Sequence, residues 1–393
     1  MPAHMNICTT RDEKSAGSWQ FLEPAKAPVL FVFGAGASIA DGAPLKEHIL
    51  PHIIYGGDRN ITESELGREV IHIITSNFAV SKESCPSLEA VFGYLEYFIK
   101  RRESLGGKFT AEKIMDIKNG LIQLIHHVIG KQRKTSKRTY IKFWDWIAQT
   151  SKNISIITMN YDTLLEEAFE PLFPHQALID YCIRFMNYEH KEEIDHFLHW
   201  INPREPVWVR TGDQPKPIKI IKLHGSLNWK YCNCCNQVLL TPGDIGINLS
   251  SRGFVRRFGA SEQDISPFCE DFLCPLDNTR FNTLIMPPSY IKELEHPIIN
   301  ILLDEASREI RSTRKIIFVG YSFSDADVHV KALFKKNIMA ETEIYIVNPD
   351  LKQAQKSGYE SLSNRVSYIS STFEDFIENN DLQNIILAPK VSL

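Results

Sequence analysis

Val29-Leu-Phe-Val-Phe33, followed by Gly34-Ala-Gly-Ala-Ser38, is the stretch of sequence that decides the fold. The first five residues are all apolar, which is typical of a short strand buried on both faces of a parallel sheet. The glycines, small residues and hydroxyl that follow predict a tight turn into a helix, an arrangement that brings backbone N–H groups against a phosphate. The loop lacks the full G-x-G-x-x-G pattern, so an ordinary strand-to-helix turn is the alternative interpretation.

The composition narrows the class of protein. The chain has 393 residues, of which 43% are hydrophobic and 23% are charged, as expected for a globular α/β domain with insertions or for two domains. The net charge of −4 gives no indication of direct nucleic-acid binding, and no apolar run reaches membrane-spanning length. Because residues 1–18 are polar and show no secretion signal, we expect a cytoplasmic protein.

Apolar runs typical of strands alternate with stretches of helical periodicity along the chain. The strand-like runs are 29–33, 154–158, 218–223, 283–286, 315–319, 343–347 and 366–369. This alternation predicts an α/β fold with a Rossmann-like, doubly wound parallel sheet. We expect a flexible N-terminal arm at 1–27 and a catalytic domain at 28–390 with a helical insertion at about 45–151, and an irregular or helical insertion at 172–215.

Polar residues follow the carboxyl ends of five predicted strands. In an open parallel sheet these ends share one edge, and that edge is where ligands bind. Five polar strand ends therefore predict a nucleotide site more strongly than the glycine loop does alone. The residues are Gly34, Ser38, Asn160, Asp162, His224, Ser322, Asp325 and Asn348.

A cysteine-rich module at about 231–279 interrupts the strand pattern. Cys232 and Cys235 form one closely spaced pair, and Cys269 and Cys274 form another. Each short spacing lets one turn present two thiolates to a tetrahedral ion, which predicts a structural Zn²⁺ with no open coordination position. Cys234 is the spare cysteine, and reduced cysteines without a metal are the alternative.

The order of these motifs resembles that of the sirtuins, a family that consumes NAD⁺. The resemblance spans about residues 28–350 and rests on the glycine loop, Met159-Asn-Tyr-Asp162, Leu223-His-Gly-Ser226, the cysteine module and Gly320-Tyr-Ser-Phe-Ser-Asp325. It implies that NAD⁺ is bound by a set of residues at the sheet edge. These residues are Gly34, Ala35, Gly36, Ser38, Asp41, Asn160, Asp162, Gly320, Ser322, Asp325 and Asn348.

The resemblance also implies that Asn160 and His224 are catalytic, and their chemistry agrees with this. Breaking the nicotinamide glycosidic bond builds positive charge on the ribose C1′ atom. The Asn160 amide can hold a water near C1′, and the His224 imidazole can accept a proton near neutral pH. Asp162 can orient the ribose or stabilise the developing charge. The alternatives are a strand-end turn residue for Asn160 and a buried core histidine for His224.

Two segments depart from the pattern of the protein deacylases among the sirtuins. Deacylases follow the glycine loop with Pro-Asp-Phe-Arg, whereas this chain has Asp41-Gly-Ala-Pro44-Leu45. Where deacylases carry the Phe-Gly-Glu segment that pairs with an acyl-lysine peptide, this chain has Leu284-Ile-Met-Pro287-Pro288. Two prolines remove two N–H donors from that segment, so water is the predicted acceptor.

The run from Gly320 to Asp327 (Gly-Tyr-Ser-Phe-Ser-Asp-x-Asp) and the large helical insertions resemble the sirtuin-like NADases of bacterial antiphage defence. The sequence therefore predicts an NAD⁺ glycohydrolase that gives nicotinamide and ADP-ribose. A protein deacylase and an NAD- or ADP-ribose-binding assembly protein without turnover are the alternatives. Because an unrestrained NADase would kill its own cell, we expect control through assembly. We expect a homo-oligomer or a complex with a separate partner protein, with the helical insertion as the interface. The resemblance implies that such a partner is a HerA-type ATPase or an Argonaute-like protein.

Overall fold

The computed structural model describes residues 17–24, 26–131, 139–150, 153–186, 200–203, 205–241, 245–250, 254–257, 265–266, 273–291, 294–379 and 381–387. Its strands are β1 (Gly17–Gln20), β2 (Val29–Phe33), β3 (Ile154–Thr158), β4 (Ala177–Asp180), β5 (Trp200–Ile201), β6 (Val207–Arg210), β7 (Lys216–Lys222), β8 (Gly225–Tyr231), β9 (Val238–Leu240), β10 (Ile245–Ile247), β11 (Phe254–Arg257), β12 (Ile265–Ser266), β13 (Asn282–Ile285), β14 (Lys315–Val319), β15 (Glu343–Val347) and β16 (Val366–Ile369).

The described helices surround the strands and also form a block of their own. They are α1 (Ala35–Ser38), α2 (Lys46–Tyr55), α3 (Arg59–Glu63), α4 (Glu65–Asn77), α5 (Leu88–Arg101), α6 (Ala111–Lys131), α7 (Thr139–Gln149), α8 (Leu164–Glu167), α9 (Pro297–Ser312), α10 (Val328–Asn337), α11 (Gln353–Glu360), α12 (Phe373–Glu378) and α13 (Asp381–Leu387), with a 3₁₀ turn at Asp325–Asp327. Within the described ranges, no helix is both long enough and apolar enough to cross a membrane.

Eight strands form one parallel sheet in the order β16-β15-β14-β2-β3-β7-β4-β5. Along the chain, β2 is the first strand of this sheet. Strands β3, β4, β5 and β7 extend the sheet on one side of β2, and the later strands β14, β15 and β16 extend it on the other side. The strand order therefore reverses at β2, which is the switch point where a doubly wound sheet opens a ligand crevice. The predicted fold class is confirmed.

The core of the sheet is built on β2, whose five residues are all buried. Phe31 and Phe33 lie on one face and pack edge-on against Phe143 of α7, with ring centroids 5.1 and 5.5 Å apart. Burial of each such side chain contributes about 1.5–3 kcal/mol to folding. A strand that is apolar at every position is thus stabilised on both faces, as its sequence predicts.

A second hydrophobic core joins the helical block, which is residues 45–131 with helices α2 to α6, to the cysteine-rich module. Helices α2, α4, α5 and α6 pack together, and their apolar residues also contact Cys232, Cys274, Phe281 and Ile285. Helix α7 belongs instead to the core of the sheet. The helical segment predicted at 45–151 therefore supplies two different cores.

Two sequence expectations are wrong. The run at 283–286 was expected in the parallel sheet, but β13 pairs antiparallel with β8, which also pairs with β9. An irregular or helical segment was expected at 172–215, but in its described part β4 and β5 extend the parallel sheet and β6 pairs with β1. Residues 187–199 and 204 of this segment lie outside the described residues. Residues 1–16 and 25 of the predicted flexible arm lie outside the described residues, whereas Gly17–Gln20 form β1.

Candidate functional site

A cavity of about 680 Å³ lies at the carboxyl ends of the central strands. Five adjacent strands, β15, β14, β2, β3 and β7, end there in parallel. The helical block contributes a wall that includes Leu45, Lys46 and Glu89. The predicted site residues that line the cavity are Ala35, Gly36, Asn160, Asp162, His224, Gly320, Ser322 and Asn348.

The glycines of the first loop are required by the neighbouring loop after β14. A Cβ atom on Gly34 would lie 2.5 Å from the Tyr321 Cα, and one on Gly36 would lie 2.7 Å from the Gly320 Cα. The Gly36 N–H donates to the Gly320 carbonyl at 2.9 Å. Gly320 has φ +61°, which disfavours any residue with a side chain. The glycine pattern is thus explained by loop-to-loop packing at the switch point.

The Asn160 side chain has a defined orientation. Its amide Nδ2 donates to the Gly34 carbonyl and to the Ser38 hydroxyl, both at 3.0 Å. Because a carbonyl oxygen can only accept, the nitrogen must face this side and Oδ1 must face the other. Asn160 is buried and lines the cavity, and the described residues contain no hydrogen-bond donor to its Oδ1.

Ser38 is fully buried behind the loop. Its hydroxyl bonds with the Asn160 amide at 3.0 Å and with the Tyr140 hydroxyl at 2.9 Å. Burial raises the pKa of Tyr140 well above its usual range, so the phenol remains protonated. Ser38 therefore connects α7 to Asn160, and its predicted contact with a pyrophosphate stays a prediction.

Asp41 faces α7. Its two carboxylate oxygens accept hydrogen bonds from the backbone N–H groups of Thr139 and Tyr140, at 2.8 and 3.0 Å. These are the first two residues of α7, whose N–H groups have no acceptor within the helix. Burial raises the pKa of Asp41 above its ordinary value, although the two backbone hydrogen bonds oppose the shift. The geometry gives Asp41 the role of a helix cap, and its predicted cofactor contact stays a prediction.

Asp162 lines the cavity, and its backbone carbonyl contacts a buried ion pair. Its carbonyl accepts a hydrogen bond from the Lys222 Nζ at 2.6 Å, and the same ammonium binds the Glu166 carboxylate at 2.7 Å. Both partners are fully buried, and burial raises the pKa of Glu166 while Lys222 opposes that shift. The pair fixes the chain that carries Asp162 against the end of β7.

His224 comes directly after β7 and is 5% exposed at the cavity wall. Its carbonyl accepts from the Met286 N–H at 2.8 Å, which holds the backbone in place. The imidazole Nε2 lies 3.3 Å from the His329 Nε2 and 3.7 Å from the Asp327 Oδ1. An imidazole in this setting can exchange a proton with a group in the cavity.

The remaining predicted residues lie at the β14 and β15 ends. Ser322 is exposed at the cavity, and Asn348 uses its Oδ1 to accept from the Asp350 N–H at 3.2 Å. The Asp325 side chain lies outside the described part of the chain.

From the helical block, Lys46 binds both Glu89 and the Ser324 hydroxyl, so α2 and α5 are connected to the loop that follows β14.

The cysteine-rich module contains a cluster of four potential metal ligands. They are Cys232, Cys235, Cys274 and Asp277, whose ligand atoms all lie within 4.8 Å of one another. The Cys235 and Cys274 sulfurs are 3.7 Å apart, and the Cys232 sulfur is 3.3 Å from an Asp277 oxygen. Zn–S bonds of about 2.3 Å in a tetrahedron separate two sulfurs by about 3.8 Å. The donor set therefore fits Zn²⁺, and Cys269 lies outside the described residues.

Three residues, one in the cysteine cluster and two beside His224, are not predicted from the sequence. Asp277 follows Cys274 at the same spacing that separates Cys232 from Cys235, and that repeated spacing is a usable signal. Asp327 and His329 lie at the start of α10, where no pattern in the sequence indicates that they reach His224. Only the folded chain brings those two residues to the end of β7.

The parallel, doubly wound sheet and the cavity at its switch point define a Rossmann-like α/β protein with a ligand site. A family model described as "SIR2-like domain" matches residues 154–368, more than half of the 393 residues. The chain therefore belongs to the SIR2-like family, which confirms the sirtuin resemblance. No curated protein matches the chain.

Solved structures with a similar fold are distant. A Sir2 homologue in complex with NAD is 14% identical with a TM-score of 0.43, over 92% of this chain and 91% of that chain. A Sir2 mutant with a p53 peptide and NAD is 12% identical with a TM-score of 0.38, over 91% and 93%. A Sir2 homologue mutant with ADP-ribose is 13% identical with a TM-score of 0.38, over 93% and 96%. These scores are low, so the family assignment rests on the family model.

Proposed function

We propose that this protein is an NAD⁺ glycohydrolase that releases nicotinamide and ADP-ribose. The substrate class comes from the sirtuin-like order of the motifs, together with membership of the SIR2-like family. The observation that carries the proposal is the orientation of Asn160, whose Nδ2 is held by Gly34 and Ser38. That orientation leaves Oδ1 to accept a hydrogen bond from a water in the cavity.

His224 supports the proposal as the general base. The attacking water must lose a proton as it bonds to the ribose C1′, and nicotinamide departs as a neutral amide. A positioned imidazole contributes about 10²–10⁴-fold to such a proton transfer. We propose that Asp162 faces the positive charge that develops on the ribose, since it lines the same cavity as Asn160 and His224. Gly36, Gly320, Ser322 and Asn348 are proposed to hold the remainder of NAD⁺.

The backbone after β13 supports water over an acyl-lysine peptide as the acceptor. A peptide that adds as a strand needs N–H and carbonyl groups on the receiving segment. The Met286 N–H donates to His224 and its carbonyl accepts from the Tyr161 hydroxyl at 2.7 Å. Pro287 and Pro288 have no N–H to donate. Three consecutive residues therefore offer no backbone donor, which disfavours the deacylase alternative.

We also propose a structural Zn²⁺ in the cysteine-rich module. Cys232, Cys235 and Cys274 would bind it, with Asp277 or Cys269 as the fourth ligand. Burial raises the pKa of Cys274 to about 12, and a bound cation supplies the positive charge that deprotonates such thiols. Cys232 and Cys274 belong to the core that they share with the helical block, so the ion would stabilise a wall of the cavity from a distance.

Nicotinamide release from NAD⁺, measured by chromatography without any peptide, tests the proposal. Asn160→Ala and His224→Ala are each expected to lower the rate at least about 10²-fold. Matched controls are Asn300→Ala on the exposed side of α9 and His175→Ala, an exposed histidine paired with Asp213 at 2.7 Å. Both controls should retain the wild-type rate. Turnover that survives in both site variants would contradict the assignment.

The biological role is proposed to be NAD⁺ depletion in antiphage defence. Such an activity needs restraint, and we propose that assembly with itself or with a partner protein provides it. The helical block forms part of the cavity wall through Leu45, Lys46 and Glu89, so an event on its surface could reach the site. A binding protein without turnover stays the second alternative, and recovery of intact NAD⁺ after prolonged incubation would favour it.

A further inference from the structure

We propose that His224, Asp327 and His329 form a second metal site, for a divalent cation of intermediate softness such as Zn²⁺. We further propose that the bound cation inhibits NAD⁺ hydrolysis by occupying the base. The second statement rests on the proposed function, whereas the first depends only on the geometry of three side chains. The sequence patterns did not assign a role to Asp327 or His329, the two ligands that follow β14.

The three side chains are spaced as ligands of one ion. The His224 Nε2 lies 3.3 Å from the His329 Nε2 and 3.7 Å from the Asp327 Oδ1. All three ligand atoms lie within 4.8 Å of one another. Bonds of about 2.0–2.2 Å to nitrogen and oxygen place two ligands of a tetrahedral Zn²⁺ about 3.4 Å apart. A cation can therefore enter with only a small movement of the side chains.

The surrounding structure holds two of these ligands in place. The Tyr321 hydroxyl donates to the Asp327 Oδ2 at 3.1 Å, which leaves Oδ1 on the side of His224. The His224 backbone is fixed by the Met286 N–H. Hydrogen bonds that orient a ligand are the usual outer shell of a metal site.

The ligand set selects the class of cation. Two imidazoles and one carboxylate suit Zn²⁺, Co²⁺, Ni²⁺ or Fe²⁺, whereas Mg²⁺ and Ca²⁺ prefer oxygen ligands. His224 and Asp327 line the cavity, so a fourth ligand would come from the cavity side. The arrangement therefore differs from the cysteine cluster, whose ligands are mostly thiols and suit a closed structural site.

Occupation of this site has a direct consequence for the proposed reaction. An imidazole nitrogen that donates its lone pair to a metal cannot accept a proton at that atom. The His224 Nε2 is the nitrogen nearest to both other ligands, so a cation there removes the base. The activity of the protein would then depend on the free concentration of Zn²⁺.

Absorption of Co²⁺ in the full-length protein tests the site without any need for turnover. The protein is first loaded with a single equivalent of Zn²⁺, which the thiol-rich cysteine cluster is expected to take up in preference to the histidine site, and is then titrated with Co²⁺. We expect a further equivalent of Co²⁺ with visible bands and without the near-ultraviolet bands that thiolate ligands produce. His329→Ala and His329→Gln should weaken this binding at least 10-fold, while His175→Ala should leave it unchanged. Unaltered Co²⁺ binding in both His329 variants, with melting temperatures like that of the wild type, would overturn the site.

Zn²⁺-buffered assays of nicotinamide release test the inhibition separately. The wild type should lose activity as free Zn²⁺ rises, and the half-inhibitory concentration should increase at least 10-fold in His329→Gln, relative to its own rate without Zn²⁺. Activation by Zn²⁺, or equal half-inhibitory concentrations, would overturn the inhibitory role. If the protein releases no nicotinamide under any condition, the proposed function fails, and the Co²⁺ titration still decides whether the metal site exists.

Discussion

Asn160 shows which properties of a single residue can be predicted from sequence. Its position after an apolar strand places it at the sheet edge, and the Asn-x-Asp pattern suggests its role. Its orientation depends on Ser38, which is 122 residues away in the sequence. A contact over that distance depends on the fold of the whole sheet, so it cannot be predicted from local pattern. The same holds for His329, which reaches His224 from 105 residues away.

Ser38→Ala tests whether Ser38 positions Asn160. The variant loses the hydroxyl that accepts from the Asn160 amide, so the amide has one partner fewer and becomes more mobile. We expect kcat for nicotinamide release to fall about 10-fold, which corresponds to about 1.4 kcal/mol, the value of one typical hydrogen bond. KM should change much less, because Ser38 is fully buried.

Ser155→Ala is the matched control for this prediction. Ser155 is also a buried serine, on β3, but its hydroxyl has no hydrogen-bond partner within the described ranges. Its removal should leave kcat unchanged and should not lower stability. Equal losses of kcat in the Ser38 and Ser155 variants would show that the effect is general destabilisation and not loss of positioning.

Asp41→Asn tests the role of Asp41 as a helix cap. The amide can accept only one of the two N–H groups at the start of α7, so the free energy of unfolding at pH 7 should fall by about 1–2 kcal/mol. KM for NAD⁺ should stay within about 2-fold of the wild type if the role is structural alone, since 2-fold is only about 0.4 kcal/mol. A KM increase of 10-fold with unchanged stability would assign Asp41 to the cofactor site.

The pH dependence of stability gives a second readout for Asp41. Its pKa is raised in the folded protein, from an ordinary value of 3.8, so the folded state binds the proton more tightly than the unfolded state does. The contribution of this group to stability is full below pH 3.8 and is lost as pH rises through the folded pKa. Asn does not titrate, so the stability gap between wild type and variant should narrow as pH rises. Urea unfolding at a series of pH values measures it.

At the scale of secondary structure, the strands of the central sheet are predicted best. Five of them, β2, β3, β14, β15 and β16, have the predicted bounds. The first four are short runs made up mainly of apolar residues and followed by polar residues. β4 and β5 were not predicted because both lie in 172–215, a mixed stretch with several prolines and aromatic residues in which a strand pattern does not stand out. β13 is recognised as a strand, but its antiparallel pairing with β8 is set by the turn at His224-Gly225 and not by its own sequence.

The cysteine-rich module makes a prediction at this scale. Cys274→Ser should release the proposed Zn²⁺ and lower the melting temperature, because Cys274 is buried in the core shared with the helical block. Cys234→Ser is the matched control, since Cys234 is exposed and is adjacent to a cluster ligand in sequence. Metal analysis and thermal unfolding of both variants check the prediction. Equal zinc content in all three proteins would contradict the assigned ligands.

At the scale of the whole molecule, the helical block, the cysteine-rich module and the cavity are physically connected. The block shares a core with the module, and α2 and α5 reach the β14 loop through Lys46, Glu89 and Ser324. Its deletion would remove part of the cavity wall together with any interface. Sequence periodicity predicts these helices, but it cannot show that they share a core with cysteines more than 100 residues away.

Surface substitutions therefore test the proposed interface better than a deletion does. Tyr97 on α5 and Met115 on α6 are large apolar side chains that are 48% and 41% exposed. Tyr97→Glu and Met115→Glu together should reduce the oligomeric mass measured by light scattering, without a change in melting temperature. Ile301→Glu on α9, which is 45% exposed, is the control outside the block and should leave the mass unchanged. An unchanged mass in the double variant would place the interface elsewhere.

The central claim is that water, held by Asn160 and deprotonated by His224, attacks the ribose of NAD⁺. Mass analysis of the products formed in ¹⁸O-labelled water, with an acetyl-lysine peptide present, tests it most directly. We predict equal amounts of nicotinamide and ADP-ribose, one ¹⁸O atom in each ADP-ribose, and an unchanged peptide. Peptide deacetylation with formation of O-acetyl-ADP-ribose would contradict the claim, as would recovery of all NAD⁺ intact.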